Sequence, residues 1–406
     1  MKDAVTNVGA FKPTTAVIRA AAQEDYIISS ISVRDRLVKT CVASGIKCII
    51  IIAPPNDEVS RPEESPYIAY ANEKSSTVEH VNTAEDLTIR DQERLLYIED
   101  GFLLHTSLLD DFVASGAKVL KSPSSPKNIF STDNFTLQAD TTYGVSEIFN
   151  GNPFHIFDMK DGRRTEARSR LFKWLSKDSD GFISKTLNRP ISTFFSRFFA
   201  EYPIAPAYFT AVTALLAALM TYVLLTGGEA GILWGCILFH VVSVADGIDG
   251  EIARAKFQSS LSGAKLDTTI DMITNILFMG TMSYALWHTY GDIYLTLGIY
   301  IVLLALTGVM LMTMLLYFGP GGGRFDILAE TIRAHYMARP FLLKVFNFCN
   351  YCLKRDAFAF IFAVFGLFGF GKYIPEFLIF GLVVWNLAII TNARSILTAK
   401  QAPSET

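Results

Sequence analysis

The sequence predicts a protein of two parts, a soluble α/β domain followed by an all-α membrane domain. Half of the 406 residues are apolar and the mean hydropathy is +0.31, which is high for a soluble protein. Of the 36 Lys and Arg and 39 Asp and Glu residues, 24 fall in residues 204–406 and 51 in residues 1–203. This distribution excludes a purely cytosolic enzyme, a disordered protein and a disulfide-rich secreted domain. The net charge of −3 gives no basis for binding nucleic acid.

Residues 1–160 alternate between strand and helix patterns, which predicts a parallel sheet flanked by helices. The continuous apolar run Cys48–Ala53 is typical of a strand buried on both faces. The polar segment Pro54–Asp86 predicts a long loop. The other predicted strands are Val17–Ala21, Leu95–Ile98 and Lys118–Leu120, and the predicted helices are Ser32–Ser44 and Ser107–Ala114.

Residues 161–203 form a basic junction followed by an amphipathic segment. Six cations precede the segment: Arg163, Arg164, Arg168, Arg170, Lys173 and Lys177. In Ile183–Ala200, Phe and Ile side chains share one face, which predicts a helix lying in the membrane interface. A helix packed on the soluble domain is the alternative. Pro190 is expected to kink this helix or to begin a new one.

Residues 204–398 contain six hydrophobic segments, and a spanning helix needs roughly 20 apolar residues. The predicted spans are about 204–226, 231–253, 262–288, 293–318, 357–371 and 374–397. The linker between spans four and five carries the cations Arg324, Arg333, Arg339, Lys344, Lys354 and Arg355, whereas the first and third loops carry none. The positive-inside rule therefore places both termini and this linker in the cytoplasm.

Four carboxylates lie where the second span ends and the third begins. Asp246 and Asp249 are separated by three residues, and Asp267 and Asp271 by four, so each pair shares one helix face. Carboxylates at membrane depth are costly and indicate a functional site. Two adjacent helices could direct all four side chains into one cleft.

Four clustered carboxylates need a cation, and hard oxygen ligands are typical of Mg²⁺ or Mn²⁺ sites. Gly250, Ala253 and Gly263 have almost no side chain on the same helix faces. They leave room for a bulky ligand such as a nucleotide. The alternative is a buried polar network that serves helix packing.

These residues form the pattern D-x2-D-G-x2-A-R-x8-G-x3-D-x3-D, which resembles that of the CDP-alcohol phosphotransferases and matches it at every position. The six-span layout also resembles that family. The resemblance implies transfer of a substituted phosphoryl group from a CDP-alcohol to an acceptor hydroxyl, with release of CMP.

The resemblance also implies roles for individual residues. Asp246, Asp249 and Asp267 would hold two Mg²⁺ or Mn²⁺ ions, and Asp271 would join the metal ligands and act as the general base. The predicted nucleotide-binding residues are Gly250, Ala253, Arg254, Gly263 and Thr210. For Arg254, a helix-capping or salt-bridge role is the alternative. Arg324 and Arg333 are acceptor-binding candidates, and their alternative is an ordinary positive-inside linker.

The segment Asp180–Ser192, with Pro206 and Thr210, resembles archaeal and bacterial members that make inositol phosphodiesters. Some of these carry an N-terminal nucleotidyltransferase domain, to which residues 1–160 are weakly similar. Ile18–Gln23 lacks the glycines with which a phosphate-cradling loop approaches its ligand, so a degenerate domain is expected. Family members usually carry Asn where this chain has Ala207.

Three functions follow as alternatives. The first is a CDP-alcohol phosphotransferase that uses CDP-diacylglycerol or CDP-inositol in phospholipid or inositol-phosphodiester synthesis. The second is a bifunctional cytidylyltransferase and phosphotransferase. The third is a divalent-cation transporter, against which the fixed Gly, Ala and Arg positions count. The expected partners are the CDP-alcohol, an alcohol or lipid acceptor and membrane lipids. A homodimer in a bacterial or archaeal inner membrane is compatible with the resemblance.

Overall fold

The structure is a computed structural model, and it describes twelve stretches of the chain: residues 15–19, 27–52, 66–81, 95–99, 101–115, 119–121, 128–132, 148–150, 155–159, 163–176, 180–318 and 354–398. The chain divides into two compact units. The first consists of Met1–Leu175, Arg197–Pro203 and Arg254–Phe257. The second consists of Ser176–Ser196, Ile204–Ala253 and Gln258–Thr406.

The first unit is built on a seven-stranded mixed sheet with strand order β10-β8-β9-β6-β1-β4-β5. Strands β6, β1, β4 and β5 run parallel to one another, while β9 pairs antiparallel with β6 and β8. Two small antiparallel pairs, β2 with β3 and β7 with β11, complete it. The strands are β1 Thr15–Arg19, β2 Ile27–Ile28, β3 Ile31–Ser32, β4 Cys48–Ile52, β5 Thr77–Val81, β6 Leu95–Glu99, β7 Phe102–Leu104, β8 Val119–Lys121, β9 Asn128–Thr132, β10 Ile148–Asn150 and β11 Ile156–Asp158.

Four helices accompany these strands: α1 Val33–Ala43, α2 Pro66–Glu73, α3 Thr106–Ser115 and α4 Arg164–Trp174. The Ser32 hydroxyl accepts a hydrogen bond from the Asp35 N–H, which begins α1. The central strands β1, β4 and β6 are almost wholly buried, because they have neighbours on both edges and apolar contacts on both faces. The α/β prediction for the N-terminal part is therefore confirmed.

The predicted loop Pro54–Asp86 is wrong for residues 66–81, which form α2 and β5. The strand β5 is at the edge of the sheet and is half exposed, so it lacks the continuous apolar run that identifies a central strand. Helix α2 is short and buries only a narrow stripe that includes Tyr67 and Ala71. The rest of the predicted loop lies outside the described residues.

A fully buried guanidinium links elements within the first unit. Arg36 on α1 donates hydrogen bonds from Nε and Nη2 to the Ile28 carbonyl at 3.1 and 2.6 Å. Its Nη1 donates to the Ala255 carbonyl at 2.6 Å. Lys256 donates from Nζ to the Tyr202 carbonyl at 2.5 Å. The short segments 197–203 and 254–257 are thus held by polar contacts inside this unit.

The second unit is helical, and each predicted hydrophobic segment contains a helix. Residues 182–199 are helical without a break, and the π-helical turn Ser184–Asn188 comes just before Pro190, which has no N–H to donate. The helices are α5 Arg189–Phe199, α6 Pro206–Thr226, α7 Gly228–Ala255, α8 Leu261–Tyr290, α9 Ile293–Phe318, α10 Arg355–Leu367 and α11 Ile374–Thr398. A 3₁₀ turn, Gly371–Tyr373, precedes α11.

Four stretches among the described residues are long and apolar enough to cross a membrane: Pro206–Thr226, Gly228–Ala255, Ile293–Leu311 and Gly371–Thr391. Helix α10 has only 13 residues. The prediction of six spans therefore stays a prediction, as does the orientation of the termini. On α5, Phe194 and Phe198 are more than half exposed, which is the arrangement expected of a helix in the membrane interface.

Candidate functional site

Helices α7 and α8 bring three of the four predicted carboxylates together. Asp246 lies on α7, and Asp267 and Asp271 lie one turn apart on α8. One carboxylate oxygen from each of the three lies within 4.8 Å of the other two. All three side chains are half-buried, and such a concentration of negative charge requires a nearby cation.

Asp249 has a different environment from the other three. It is 6% exposed, its Oδ2 accepts a hydrogen bond from the Thr210 hydroxyl on α6 at 2.5 Å, and its Oδ1 accepts from the Gly250 N–H at 2.5 Å. Thr210, predicted to lie near the nucleotide, therefore contacts an acidic residue of the motif directly. This fixes the orientation of the Asp249 carboxylate.

Arg355, the first residue of α10, supplies the cation that the carboxylates need. Its Nη1 forms ion pairs with Asp271 Oδ1 and with Asp246 Oδ1, the latter at 3.3 Å. The Arg355 side chain is 14% exposed. In the sequence, Arg355 is only one cation of the linker, because nothing there shows that the start of α10 lies against α7 and α8.

The other predicted site residues have varied positions. Gly250 and Ala253 are half-buried on α7, while Gly263 is exposed in the first turn of α8. The Gly263 N–H donates to the Ser260 hydroxyl at 3.0 Å, a contact that begins α8. Arg254 lies in the last turn of α7. The acceptor-binding candidates Arg324 and Arg333 lie outside the described residues.

A second polar network, which sequence reasoning missed, joins α5 to α7. Glu251 is 1% exposed and accepts hydrogen bonds from Arg189 Nη1 at 2.7 Å, from the Ser192 hydroxyl at 2.7 Å and from the Ser196 hydroxyl at 2.6 Å. Arg189 also donates from Nε and Nη2 to Asp180 at 2.8 and 3.0 Å. Although burial opposes it, these ion pairs raise the pKa of Arg189 above its ordinary value.

The signal for this network was present but ambiguous. Glu251 lies inside the acidic motif, at a position where the pattern allows any residue. From the sequence alone, a Glu among several Asp residues is indistinguishable from a further carboxylate of the site. Gly247, one helical turn before Glu251 on α7, has a packing role. A Cβ on Gly247 would come within 3.3 Å of the Ser192 hydroxyl, so glycine permits the close approach of α5 and α7.

The acidic cluster opens into a polar cavity of about 220 Å³. Asp246 and Asp271 form part of its wall, together with the cations Arg189, Lys354 and Arg355. The remaining lining includes Asp180, Ser184, Asn188, Ser192, Ser243, Gly247 and Asp356. A cavity with this many hydrogen-bonding groups fits a polar, charged ligand better than an acyl chain.

The donor set fits a divalent cation. Asp246, Asp267 and Asp271 offer only carboxylate oxygens, which Mg²⁺ and Mn²⁺ prefer, and they already lie close together. Asp249 is one helical turn from Asp246 on α7. One guanidinium pairs with two of the carboxylates, which is consistent with a cluster that attracts positive charge.

Comparison with known proteins agrees with this chemistry. Residues 204–393 match the family model described as CDP-alcohol phosphatidyltransferase. The match contains α6, α7 and α8, and with them all four aspartates.

Curated relatives share part of the chain. One from Thermococcus kodakarensis, named "Bifunctional IPC transferase and DIPP synthase", is 39% identical over 123 residues, which cover 29% of this chain and 27% of the relative. A relative of the same name from Aquifex aeolicus is 33% identical over 119 residues, with the same two coverages. A third, from Archaeoglobus fulgidus, is 29% identical over 126 residues, covering 31% and 25%. The chain therefore spans about a quarter of the length of these relatives.

Proposed function

We propose that this chain, whose residues 204–393 match the CDP-alcohol phosphatidyltransferase family model, transfers a substituted phosphoryl group from a CDP-alcohol to an acceptor hydroxyl and releases CMP. The observation that carries the proposal is the convergence of Asp246, Asp267 and Asp271, of which Asp246 and Asp271 line a polar cavity. A divalent-cation transporter is not favoured, because a transferase domain covers the acidic site.

The carboxylates have two tasks in this reaction. Asp246, Asp249 and Asp267 would hold Mg²⁺ or Mn²⁺, with Asp271 completing the ligand set. The bound cations would screen the pyrophosphate and stabilise the departing CMP phosphate. The hydrogen bonds from Thr210 and the Gly250 N–H hold the Asp249 carboxylate in one orientation, so it need not reorganise when a ligand binds.

Asp271 is suited to accept the proton of the acceptor hydroxyl. The hydroxyl oxygen forms a bond to the phosphorus of the alcohol-bearing phosphate, and the bond from that phosphorus to the CMP oxygen breaks. The hydroxyl proton passes to a carboxylate oxygen of Asp271. Asp271 lies both in the acidic cluster and on the cavity wall, so a substrate in the cavity reaches it.

The cavity favours a polar acceptor or headgroup of the inositol type. Lys354 and Arg355 line it beside the acidic cluster, and an anionic group needs such partners once the carboxylates are engaged. The names of the curated relatives support synthesis of an inositol phosphodiester. Arg324 and Arg333 remain proposed contributors to acceptor binding.

The proposal is tested by incubating the purified full-length protein with CDP-diacylglycerol or CDP-inositol, with Mg²⁺ or Mn²⁺ and with inositol or inositol phosphate as acceptor. CMP release above that of Asp271→Asn is the expected result. Absence of CMP release from both donors with both metals would reject the phosphotransferase assignment. The donor that is consumed also decides between the CDP-diacylglycerol and CDP-inositol reactions.

A bifunctional enzyme is the second candidate, because all three relatives are named bifunctional and the N-terminal part of this chain has a largely parallel α/β sheet. In that case the first unit would make the CDP-alcohol from CTP. Release of pyrophosphate from CTP separates this candidate from a single phosphotransferase.

A further inference from the structure

Arg355 uses only part of its hydrogen-bonding capacity in the acidic cluster. Its Nη1 serves both Asp246 and Asp271, whereas the buried Nε and Nη2 have no hydrogen-bond partner among the described residues. A guanidinium has five N–H groups in a planar fork, and a stable pairing with carboxylates usually engages two of its nitrogens. Because Nε and Nη2 have almost no accessible surface, an anionic oxygen can bind them only after the Arg355 side chain has moved.

The same carboxylate oxygens cannot serve two cations equally well. A divalent ion held by Asp246 and Asp271 would lie next to the Arg355 guanidinium, and like charges at such separation repel strongly in a site shielded from water. Metal binding must therefore either displace Arg355 or occur at reduced affinity. Displacement is feasible because Arg355 lies in the first turn of α10, directly after the extended Lys354.

We propose that Arg355 is an exchangeable counter-cation of the acidic cluster. It pairs with Asp246 and Asp271 when no metal is bound, a divalent ion displaces it, and its guanidinium then receives an anionic group of a substrate in the cavity. The inference rests on the proposed function in that it takes these carboxylates as the metal site.

The exchange couples two binding events. An anion that draws Arg355 away from the carboxylates raises the affinity for the metal, and by linkage the metal raises the affinity for the anion by the same factor. Neither effect requires a catalytic turnover, so both are measurable on the protein without a CDP-alcohol. In the absence of substrates, the single charge of Arg355 offsets only part of the negative charge of the three carboxylates.

The first test measures Mn²⁺ binding to the purified full-length protein by the electron paramagnetic resonance signal of free Mn²⁺, with no nucleotide present. Arg355→Gln is expected to bind Mn²⁺ about three- to tenfold more tightly than wild type, because a competing cation is gone. Arg355→Lys, which keeps the charge, should lie between the two. Asp246→Asn should weaken Mn²⁺ binding, which identifies the site being measured.

Lys354→Gln provides a matched control, since it removes one positive charge from the neighbouring residue of the same cavity wall. Its effect on the Mn²⁺ affinity should be clearly smaller than that of Arg355→Gln. Equal effects of the two variants would mean that the Mn²⁺ affinity depends only on the total positive charge of the cavity wall. The exchange would then be rejected. Unchanged or weaker Mn²⁺ binding in Arg355→Gln would also reject it.

The second test uses sulfate as the anion, with the free Mn²⁺ signal calibrated at each sulfate concentration because sulfate binds Mn²⁺ weakly. Sulfate should tighten Mn²⁺ binding to wild type and have no such effect on Arg355→Gln. Loss of coupling in the variant supports the exchange, and coupling that persists overturns it. The outcome is independent of the enzymatic assignment: a protein that releases no CMP but shows the Arg355 effect rejects the phosphotransferase function alone.

Discussion

Asp271 and Asp249 are both acidic residues of one motif, but their surroundings differ. Asp271 is half-buried, faces the cavity and pairs with Arg355, whereas Asp249 is buried and accepts hydrogen bonds from Thr210 and the Gly250 N–H. A carboxylate that reacts must reach its substrate, and one that orients a ligand must not move. This difference in environment supports different roles for the two residues.

Asp271→Asn should abolish turnover and leave CDP-alcohol binding within about tenfold of wild type, because a general base acts in the transition state more than in ground-state binding. Asp249→Asn should instead weaken metal-dependent nucleotide binding. Turnover under saturating substrate and the dissociation constant of the CDP-alcohol are the two measurements. Near-full turnover of Asp271→Asn would remove this residue from the role of base.

His105 gives the first unit a dependence on pH. Its ring stacks on His155 with centroids 4.8 Å apart and meets Trp174 edge-on. Burial and the neighbouring His155 lower the pKa of His105 below its ordinary value of 6.5, while Asp110 and Asp111 act in the opposite direction. The unfolded chain therefore binds a proton before the folded chain does as the pH falls.

The contribution of neutral His105 to the free energy of unfolding is therefore fully present above about pH 6.5. It decreases as the pH falls below that value. The full-length protein should show a lower thermal midpoint at about pH 5.5 than at about pH 7.5. In His105→Gln, which cannot take up this proton, the difference between the two midpoints should be smaller. A difference of the same size in wild type and variant would show that other groups cause the acid sensitivity.

At the scale of elements, Glu251 joins α5 to α7. It is buried and its oxygens receive three donors, two of them hydroxyls that are themselves buried, Ser192 and Ser196. Removing a buried acceptor leaves its donors unsatisfied, which costs more than the net gain from the hydrogen bonds themselves. The packing of α5 on α7 thus depends on the Glu251 side chain.

Glu251→Ala should lower the free energy of unfolding by about 2–4 kcal/mol, because it leaves the buried Ser196 hydroxyl without an acceptor, Ser192 with only a long hydrogen bond to the Arg189 carbonyl, and Arg189 with a single acidic partner. Glu251→Gln, which keeps an acceptor oxygen for the hydroxyls, should lose less. Thermal unfolding in detergent measures both. Lys265→Ala, at an exposed position on α8, is the control and should be close to wild type. An alanine variant as stable as this control would show that Glu251 does not hold the helices together.

Elements with a strong periodic signal were predicted well. The helix expected at Ser32–Ser44 is α1 at Val33–Ala43, and the buried run Cys48–Ala53 is β4 at Cys48–Ile52. The sequence could not show α2 and β5, because a short helix and a half-exposed edge strand have few buried residues to mark their period. Contacts between distant elements, such as Arg355 with Asp271, have no local signal at all.

At the scale of the whole molecule, the contrast between a charged first half and an apolar second half predicted the two types of architecture. The acidic motif predicted the convergence of Asp246, Asp267 and Asp271, because helical spacing fixes which residues share a face. It could not predict that Asp249 would bond to Thr210, since that contact depends on how α6 packs against α7. The roles of these residues and the domain boundaries 1–160, 161–203 and 204–398 stay predictions.

The question that remains at this scale is whether the first unit makes the activated alcohol. We expect that it does not. Strand β1 ends at Arg19, and the sequence that follows, Ala20–Gln23, contains no glycine. A loop that brings backbone N–H groups close to nucleotide phosphates needs residues without a Cβ, because side chains would hold the ligand away.

The full-length protein incubated with CTP, inositol phosphate and Mg²⁺ should therefore release pyrophosphate no faster than a reaction without protein, while the same preparation releases CMP from a supplied CDP-alcohol. Because the CMP reaction shows that the protein is active, an absence of pyrophosphate release from CTP cannot be attributed to a damaged sample. Asp100→Asn serves as the matched variant, because this Asp directly follows the parallel strand β6, and ligands of α/β sheets bind at the carboxyl ends of the strands. Pyrophosphate release that disappears in Asp100→Asn would show an active first unit, and a bifunctional enzyme would replace the single phosphotransferase. Pyrophosphate release that survives the substitution would come from a contaminant, and the expectation of an inactive first unit would stand.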